Sequence, residues 1–240
     1  MSTSLTSGRA LRPLGLLLAC VAVAGSTAAT GNATSAGVKT RQELVVLLSA
    51  HEARVEPALR TAPVGLVPAR TPITDVRTVL PVLAQRGNWL KVRLPGRPNG
   101  HTGWIKQGET LSSSTRWQLA VNTTRRLVTV YLSGRVVRTF KAVVGKPSTP
   151  TPTGQFFVEE SIALRASDVG APFALALSAR SSVLQEFDGG PGQIALHGLD
   201  NVGGTPGTAV SHGCIRLEDS AMRWLAARIV SGTPVTITAP

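Results

Sequence analysis

Cysteine is scarce in this chain, with two in 240 residues. Cys20 lies in an apolar N-terminal run, so Cys214 is the one thiol in the rest of the chain. A single cysteine cannot form an internal disulfide bond, which excludes a disulfide-stabilised scaffold. Cys214 is therefore a free thiol or an intermolecular one. A buried, inert side chain is the ordinary alternative, but Cys214 stands among glycines and histidines rather than in an apolar run.

Long hydrophobic segments are also missing. The uncharged apolar run 14–24 is too short to span a bilayer, and it follows Arg9 and Arg12 as the apolar part of an export signal follows its basic part. We therefore expect a signal peptide over residues 1–28. A lipoprotein signal that attaches lipid to Cys20 and a retained N-terminal anchor are the alternatives.

Acidic residues are few as well: 25 Lys and Arg against 13 Asp and Glu give a formal net charge of +12. Such a charge suits an anionic surface, and an exported protein meets cell-wall polymers and anionic lipid head groups. Nucleic acid is the generic partner of a basic protein, but export argues against it. A charge that simply aids solubility is the alternative. We expect a monomer in the cell envelope, in the periplasmic space or the cell wall, associated with the wall or a membrane surface.

Aromatic residues amount to 4%, whereas glycine and proline number 24 and 16, which favours short strands and turns over long helices. Apolar runs separated by turns predict a mainly-β domain over residues 115–240, with a hairpin turn at 133–134. The one clear helix of this domain is expected at 220–229, with Ser220 as a possible N-cap. A Ser/Thr-rich joint at 111–116 precedes the domain.

The N-terminal half has a different pattern. Residues 60–112 mix short apolar runs with proline and glycine, and the stretch 87–93 resembles part of a bacterial Src-homology-like small β-barrel. Such a module could bind wall peptide or act as a spacer that packs on the following domain, and both roles stay open. Residues 29–59 are expected to hold a flexible linker and a possible short helix within 40–56, where a capping box occurs. A strand at 44–48 is the alternative.

Reactive residues are concentrated near the C-terminal end. The stretch 211–216 (Ser-His-Gly-Cys-Ile-Arg) holds Cys214 and His212, and a second histidine, His197, precedes Gly198. A thiol, imidazoles and glycines this close together are the parts of a nucleophilic acyl-transfer site. The thiolate is the reactive form, so the cysteine needs a nearby base or positive charge. Glycines let a substrate approach the backbone, whose N–H groups can hold an oxyanion.

These motifs resemble the signature of the L,D-transpeptidase catalytic-domain family, whose members use a cysteine to cross-link bacterial peptidoglycan. The similarity extends to residues 143–146 with 151–154, which resemble the family's conserved turn, and to 232–235, which resemble its closing strand. It covers the chain from about residue 117 to the C-terminus. The resemblance implies a β-sandwich with one helix near its end, here preceded by the small barrel.

The resemblance also implies the roles of the reactive residues, with Cys214 as the nucleophile and His197 as the base. Because the next residue, Gly198, has no side chain, a backbone carbonyl would have to fix the tautomer of His197. On an extended segment His212 and Cys214 would share one face, so His212 could be the base or could shape the site by hydrogen bonding. We favour the second role, because the resemblance assigns the base to His197.

The remaining motif residues are candidates for binding and support. The backbone N–H groups of Gly213 and of the cysteine after it are candidates for an oxyanion hole. Arg216 could hold a substrate carboxylate, or it could pair with Glu218 or Asp219. Ser211 could hydrogen-bond within the turn or take part in catalysis.

A zinc site is not expected, because two histidines and one cysteine lack a fourth ligand at tetrahedral-site spacing. A papain-like protease is also disfavoured, because its cysteine precedes its histidine in the sequence, whereas here the histidine comes first. No cofactor is implied.

The resemblance thus implies an exported enzyme that acts on peptidoglycan stem peptides. Cys214 would form a thioester with the diaminopimelate carbonyl of a wall tetrapeptide and release D-Ala, and the amine of a second stem peptide would accept the acyl group. An L,D-carboxypeptidase would use the same residues with water as the acceptor. The alternative from another class is a wall-binding protein without activity.

Overall fold

The computed structural model describes residues 38–187 and 189–239, which form two large β-sheets, a two-stranded ribbon and a helix. The expected signal peptide, the lipid-attachment alternative at Cys20 and most of the expected linker lie outside these residues. Within the described part of the chain, no helix is both long and apolar enough to cross a bilayer. Strands dominate, so the prediction of a mainly-β fold is confirmed.

The N-terminal sheet has seven antiparallel strands in the order β3-β2-β6-β5-β4-β1-β7. Its interior is filled by aliphatic side chains such as Leu47, Leu80 and Ile105, all of them fully buried. Its strands are β1 (Gln42–Leu47), β2 (His51–Arg54), β3 (Pro63–Val67), β4 (Val79–Arg86), β5 (Trp89–Arg93), β6 (Thr102–Lys106) and β7 (Thr110–Thr115).

The helix expected within 40–56 is wrong, and the alternative strand forms instead. β1 lies between β4 and β7, and pairing on both sides buries Leu44, Val45 and Leu47. The capping box is a local signal, and long-range strand pairing overrides it. Since β1 and β2 belong to the sheet, it begins before residue 60; its description as a Src-homology-like barrel stays a prediction.

The joint expected at 111–116 is also mostly a strand. β7 pairs with β1 along its whole length, from Gln42 opposite Thr115 to Leu47 opposite Thr110. β8 begins at Trp117, directly after this strand. The two halves of the chain are therefore joined without a flexible linker.

The C-terminal half forms an eight-stranded sheet in the order β10-β9-β8-β17-β12-β13-β14-β16, and β11 pairs with β15 in a separate parallel ribbon. Ser133 and Gly134 both have positive φ, 52° and 76°, as a two-residue hairpin turn requires, so the predicted hairpin is confirmed. The elements are β8 (Trp117–Asn122), β9 (Leu127–Leu132), β10 (Arg135–Lys141), β11 (Val144–Gly145), β12 (Gly154–Ala163), β13 (Phe173–Arg180), β14 (Gln193–His197), β15 (Ala209–Ser211), β16 (Ile215–Arg216), α1 (Asp219–Ala226) and β17 (Pro234–Thr238).

Helix α1 packs against β13 and β14. It buries Ala221, Met222 and Leu225, which recur at helical spacing. The expected N-cap is wrong: Glu218 is the N-cap residue, its side chain makes no capping hydrogen bond, and Ser220 lies inside the first turn.

Strand β12 contributes to the cores of both halves. Phe156 packs in the core of the C-terminal sheet, whereas the adjacent Phe157 packs in that of the N-terminal sheet. Glu160, fully buried in the same strand, accepts hydrogen bonds from the backbone N and Oγ1 of Thr74 at 2.7 and 2.6 Å. Because β12 contributes to both cores and the buried Glu160 joins the halves, the described residues 38–187 and 189–239 form one compact unit.

We predict that Thr74→Ala lowers the free energy of unfolding by about 1–3 kcal/mol, because a buried carboxylate loses one of its donors. Denaturant unfolding of the full chain measures this change. Thr124→Ala, which alters an exposed threonine of the C-terminal half, is the control and should change stability little. Equal stability of the two variants would show that the Glu160 contact does not join the halves.

Candidate active site

Parallel pairing places β14, which ends at the predicted base, beside β16, which directly follows the predicted nucleophile. Leu196 lies opposite Ile215 in this pair, and both are fully buried. Successive residues of a strand point to opposite faces. His197 and Arg216, which are also opposite each other, therefore share the other face. Cys214 lies directly before β16, and its Sγ is 4.0 Å from the carbonyl oxygen of Gln193 in β14. Continued alternation would put its side chain on the face of Arg216.

The imidazole of His197 is oriented by backbone groups. Its Nδ1 lies 2.9 Å from the carbonyl oxygen of Gly198, so the neutral ring donates from Nδ1 and leaves Nε2 as a free acceptor. A Cβ on Gly170 would lie 2.4 Å from Nδ1, so the backbone between β12 and β13 packs against the ring. A Cβ on Gly198 would lie 1.8 Å from the carbonyl oxygen of Ala171. This position therefore requires glycine.

Burial favours the neutral forms of both groups. It lowers the pKa of His197, and the nearby positive charge of Arg216 lowers that pKa further, against the opposing effect of the Gly198 hydrogen bond. Burial also raises the pKa of the Cys214 thiol, against the opposing effects of the Ala195 backbone and of Arg216. Both shifts favour a resting thiol and neutral imidazole over a thiolate and an imidazolium.

Hydrogen bonds within the turn hold the cysteine in place. The hydroxyl of Ser211 donates to the carbonyl oxygen of Cys214 at 2.6 Å and accepts from the N–H of Gly213 at 3.1 Å. Ser211 is fully buried, which favours the structural one of its two expected roles. The Gly213 N–H donates within the turn, and its expected place in an oxyanion hole stays a prediction. The N–H of Cys214 has no backbone acceptor among the described residues.

His212 does not share a face with the cysteine through extended backbone. β15 ends at Ser211 and β16 begins at Ile215, and Gly213 between them has a φ of 123°. His212 is exposed, and its ring stacks on that of Phe187 with centroids 5.7 Å apart. Phe187 was not singled out from the sequence, since a single aromatic residue in a polar loop gives no pattern.

Arg216 anchors the loop between β14 and β15. Its Nη1 donates to the carbonyl oxygens of Val202 and Gly203 at 3.3 and 3.2 Å. The expected ion pair with Glu218 or Asp219 is wrong, since Arg216 is in none of the ion pairs between described residues. The buried Nε of Arg216 has no hydrogen-bond partner among the described residues.

The stretch around residues 143–154, which resembles the family's conserved turn, forms hydrogen bonds to the segment that carries the cysteine. Thr149 Oγ1 donates to the carbonyl oxygen of Ser211 at 3.1 Å, and Thr151 Oγ1 donates to that of Gly213 at 2.8 Å. A Cβ on Gly145 would lie 2.4 Å from the backbone N of Thr151, so this glycine permits the close approach. The two threonines were missed as individual residues, although the motif around them was found.

A metal centre has no support in the geometry. Over residues 38–187 and 189–239, no group of three or more His, Cys, Asp or Glu side chains could hold an ion.

Comparison with known proteins gives a consistent family. The family model described as YkuD, L,D-transpeptidase catalytic domain, matches residues 116–237. The putative L,D-transpeptidase YkuD of Bacillus subtilis is 33% identical over 124 residues, which are 50% of this chain and 65% of that protein. L,D-transpeptidase 1 of Mycobacterium tuberculosis is 31% identical over 117 residues, 45% of each chain. These alignments thus span about half to two thirds of the relatives.

Among solved structures, an L,D-transpeptidase from Mycobacterium smegmatis is similar with a TM-score of 0.41 and 20% sequence identity. The match covers 79% of this chain and 99% of that one.

We predict that alkylation of Cys214 by iodoacetamide rises with pH in one step, with a midpoint above that of an ordinary cysteine, because burial raises the thiol pKa. Peptide-resolved mass analysis of the full chain measures the modified fraction. The urea-unfolded chain is the control and should titrate near the ordinary value of about 8.5. A fast plateau persisting below pH 7 would instead indicate a thiolate–imidazolium pair.

Proposed function

Because this chain belongs to the YkuD family of L,D-transpeptidase catalytic domains, we propose that it is a peptidoglycan L,D-transpeptidase with Cys214 as its nucleophile. The observation that carries the proposal is the register of the β14–β16 pair, which sets His197 opposite Arg216, two residues after Cys214. The Gly198 carbonyl leaves Nε2 of His197 ready to accept a proton. The family supplies the substrate class, peptidoglycan stem peptides.

In the first half-reaction, Nε2 of His197 takes the thiol proton as Sγ attacks the carbonyl of the diaminopimelate L-centre. The carbonyl oxygen becomes an oxyanion, for which the N–H of Cys214 is the nearest candidate donor. The bond to the terminal D-Ala then breaks, and its nitrogen takes the proton from His197. A thioester between Cys214 and the donor peptide is left.

In the second half-reaction, the side-chain amine of another stem peptide attacks the thioester carbonyl. His197 takes a proton from this amine and returns it to the departing sulfur, which restores the thiol and leaves an amide cross-link. With water as the acceptor, the same steps would release a shortened peptide, as in an L,D-carboxypeptidase. Mass analysis of products from tetrapeptide-bearing wall fragments separates the two reactions, because only transfer yields a cross-linked dimer.

Charge and the expected export signal support a location in the cell envelope. The chain carries a formal net charge of +12, which favours contact with anionic wall polymers. The association would be electrostatic, and it should therefore weaken as the salt concentration rises.

We predict that Cys214→Ala abolishes acyl transfer while the protein stays folded, because a half-buried thiol contributes little packing. Cys214→Ser should be nearly inactive, since a hydroxyl is a much poorer nucleophile at neutral pH. The measurement is the mass added to residue 214 by a β-lactam-type acylating agent, with circular dichroism as the folding control. Substantial turnover by Cys214→Ala would refute the nucleophile assignment.

We predict different pH behaviour for variants of the two histidines. His197→Ala should slow acylation by about two to four powers of ten, the usual cost of losing a general base. A rise in pH above the thiol pKa should restore part of the rate, because thiolate then forms without a base. His212→Ala should show little such recovery, since deprotonating the thiol does not repair a misshaped site.

The measurement is the rate of Cys214 acylation against pH in both variants. Recovery at high pH in His212→Ala but not in His197→Ala would reverse the assignment and make His212 the base.

A further inference from the structure

The segment that joins β13 to β14, residues 181–187 and 189–192, lies beside the residues that precede Cys214. We call it the β13–β14 loop. Its base is closed by a hydrogen bond of 2.7 Å from the N–H of Ser181 to the carbonyl oxygen of Gly192. Near its far end, Phe187 and Gly190 exchange backbone hydrogen bonds at 2.9 and 3.0 Å. The ring of Phe187 stacks on His212, two residues from Cys214.

The N-terminal sheet ties this loop at both of its ends through a single side chain. Arg97, between β5 and β6, donates from Nη1 to the carbonyl oxygen of Pro191 at 2.9 Å. Its Nη2 donates to those of Ser181 at 2.8 Å and Leu184 at 3.2 Å. A planar guanidinium can serve three acceptors in fixed directions, which a flexible ammonium cannot. One arginine of the N-terminal half thus fixes both ends of a loop in the C-terminal half.

Asn99 adds a second contact beside the first. Its Nδ2 donates to the carbonyl oxygen of Arg180 at 2.7 Å, and its Oδ1 accepts from the N–H of Arg180 at 2.8 Å. The asparagine side chain therefore takes the place of a neighbouring strand at the residue where β13 ends and the loop begins. The N–H of Gly96 likewise donates to Ser178 in β13 at 3.2 Å.

Apart from its backbone pair with Gly190, the contact described for Phe187 is the stack of its ring on His212. Its side chain is 53% exposed, and the loop around it is exposed or half-buried for most of its length. An exposed loop without such ties samples many conformations, and ordering it costs entropy at each turnover. The stack of Phe187 on His212 is therefore expected to depend on the fixed ends of the loop.

We propose that Arg97 is a positioning residue: by fixing the β13–β14 loop it holds Phe187 against His212, so that the N-terminal sheet shapes the wall of the cysteine site that receives the donor peptide. The part that concerns the donor peptide rests on the proposed function. The tether itself does not, and it can be tested without substrate. This gives the N-terminal sheet a role in catalysis other than wall binding or spacing.

The tether is tested by hydrogen–deuterium exchange of the full chain, read from peptides of the loop. Arg97→Ala should speed deuterium uptake in residues 181–192 by about tenfold. Arg97→Lys keeps the charge but not the fork and should behave like the alanine variant. Arg41→Ala is the matched control, since this exposed arginine pairs with Glu43 within the N-terminal half. Unchanged uptake in Arg97→Ala would overturn the proposal whether or not the protein is active.

The effect on the site is tested by steady-state release of D-Ala from tetrapeptide wall fragments. Arg97→Ala and Phe187→Ala should each raise the KM for the donor by about five- to twentyfold, with a smaller change in kcat. The double variant should be no worse than Phe187→Ala alone, because the arginine acts through the phenylalanine. The positioning role would be overturned if the KM increases of the two single variants multiplied in the double variant. It would also be overturned if Arg97→Ala left KM unchanged. A wild-type chain that releases no D-Ala would refute the proposed function, and the exchange experiment would still decide the tether.

Discussion

The candidate site depends on the parallel pairing of β14 with β16. Leu196 and Ile215 lie opposite each other and are fully buried, so the hydrophobic core fixes the register of two strands that are separated in sequence by a long loop. Burial of such a side chain is worth roughly 1.5–3 kcal/mol. A slip of β16 by one residue would turn Ile215 toward solvent and Arg216 toward the core. The same contact that stabilises the sheet therefore also sets His197 opposite Arg216, two residues after Cys214.

The electrostatics of the site follow from this half-buried position. Proton transfer from Cys214 to His197 would create two charges, and desolvation opposes both. Arg216 stabilises the thiolate and destabilises the imidazolium, so its effects on the two groups oppose each other in the proton transfer. The balance changes once the negative charge passes to the oxyanion of the substrate. The imidazolium and Arg216 then both lie near an anion, so the environment favours the reacting state over a charged resting state.

Local patterns predicted much of the C-terminal half. The hairpin at Ser133–Gly134, the final strand and the helix after the motif each have a short-range signal, and each is found. The helix expected within 40–56 failed because β1 pairs with strands more than thirty residues away, which a capping box does not register. The shared face expected for His212 and Cys214 failed at Gly213, whose backbone conformation the sequence permits but does not impose. The pairing of Arg216 with loop carbonyls instead of acids is a tertiary contact that spacing cannot show.

Small residues around the cysteine turn have a packing reason that their motif alone does not reveal. A Cβ at Gly145 would collide with the segment that carries Thr149 and Thr151, whose hydroxyls hold the carbonyls of the turn. At Gly198 it would collide with the carbonyl of Ala171, in the backbone stretch that packs on His197. In both places an absent side chain lets two backbone segments approach closely enough to fix a reactive group. Substitution at either glycine would therefore move the thiol or the imidazole, although neither residue has a side chain that reaches the reacting atoms.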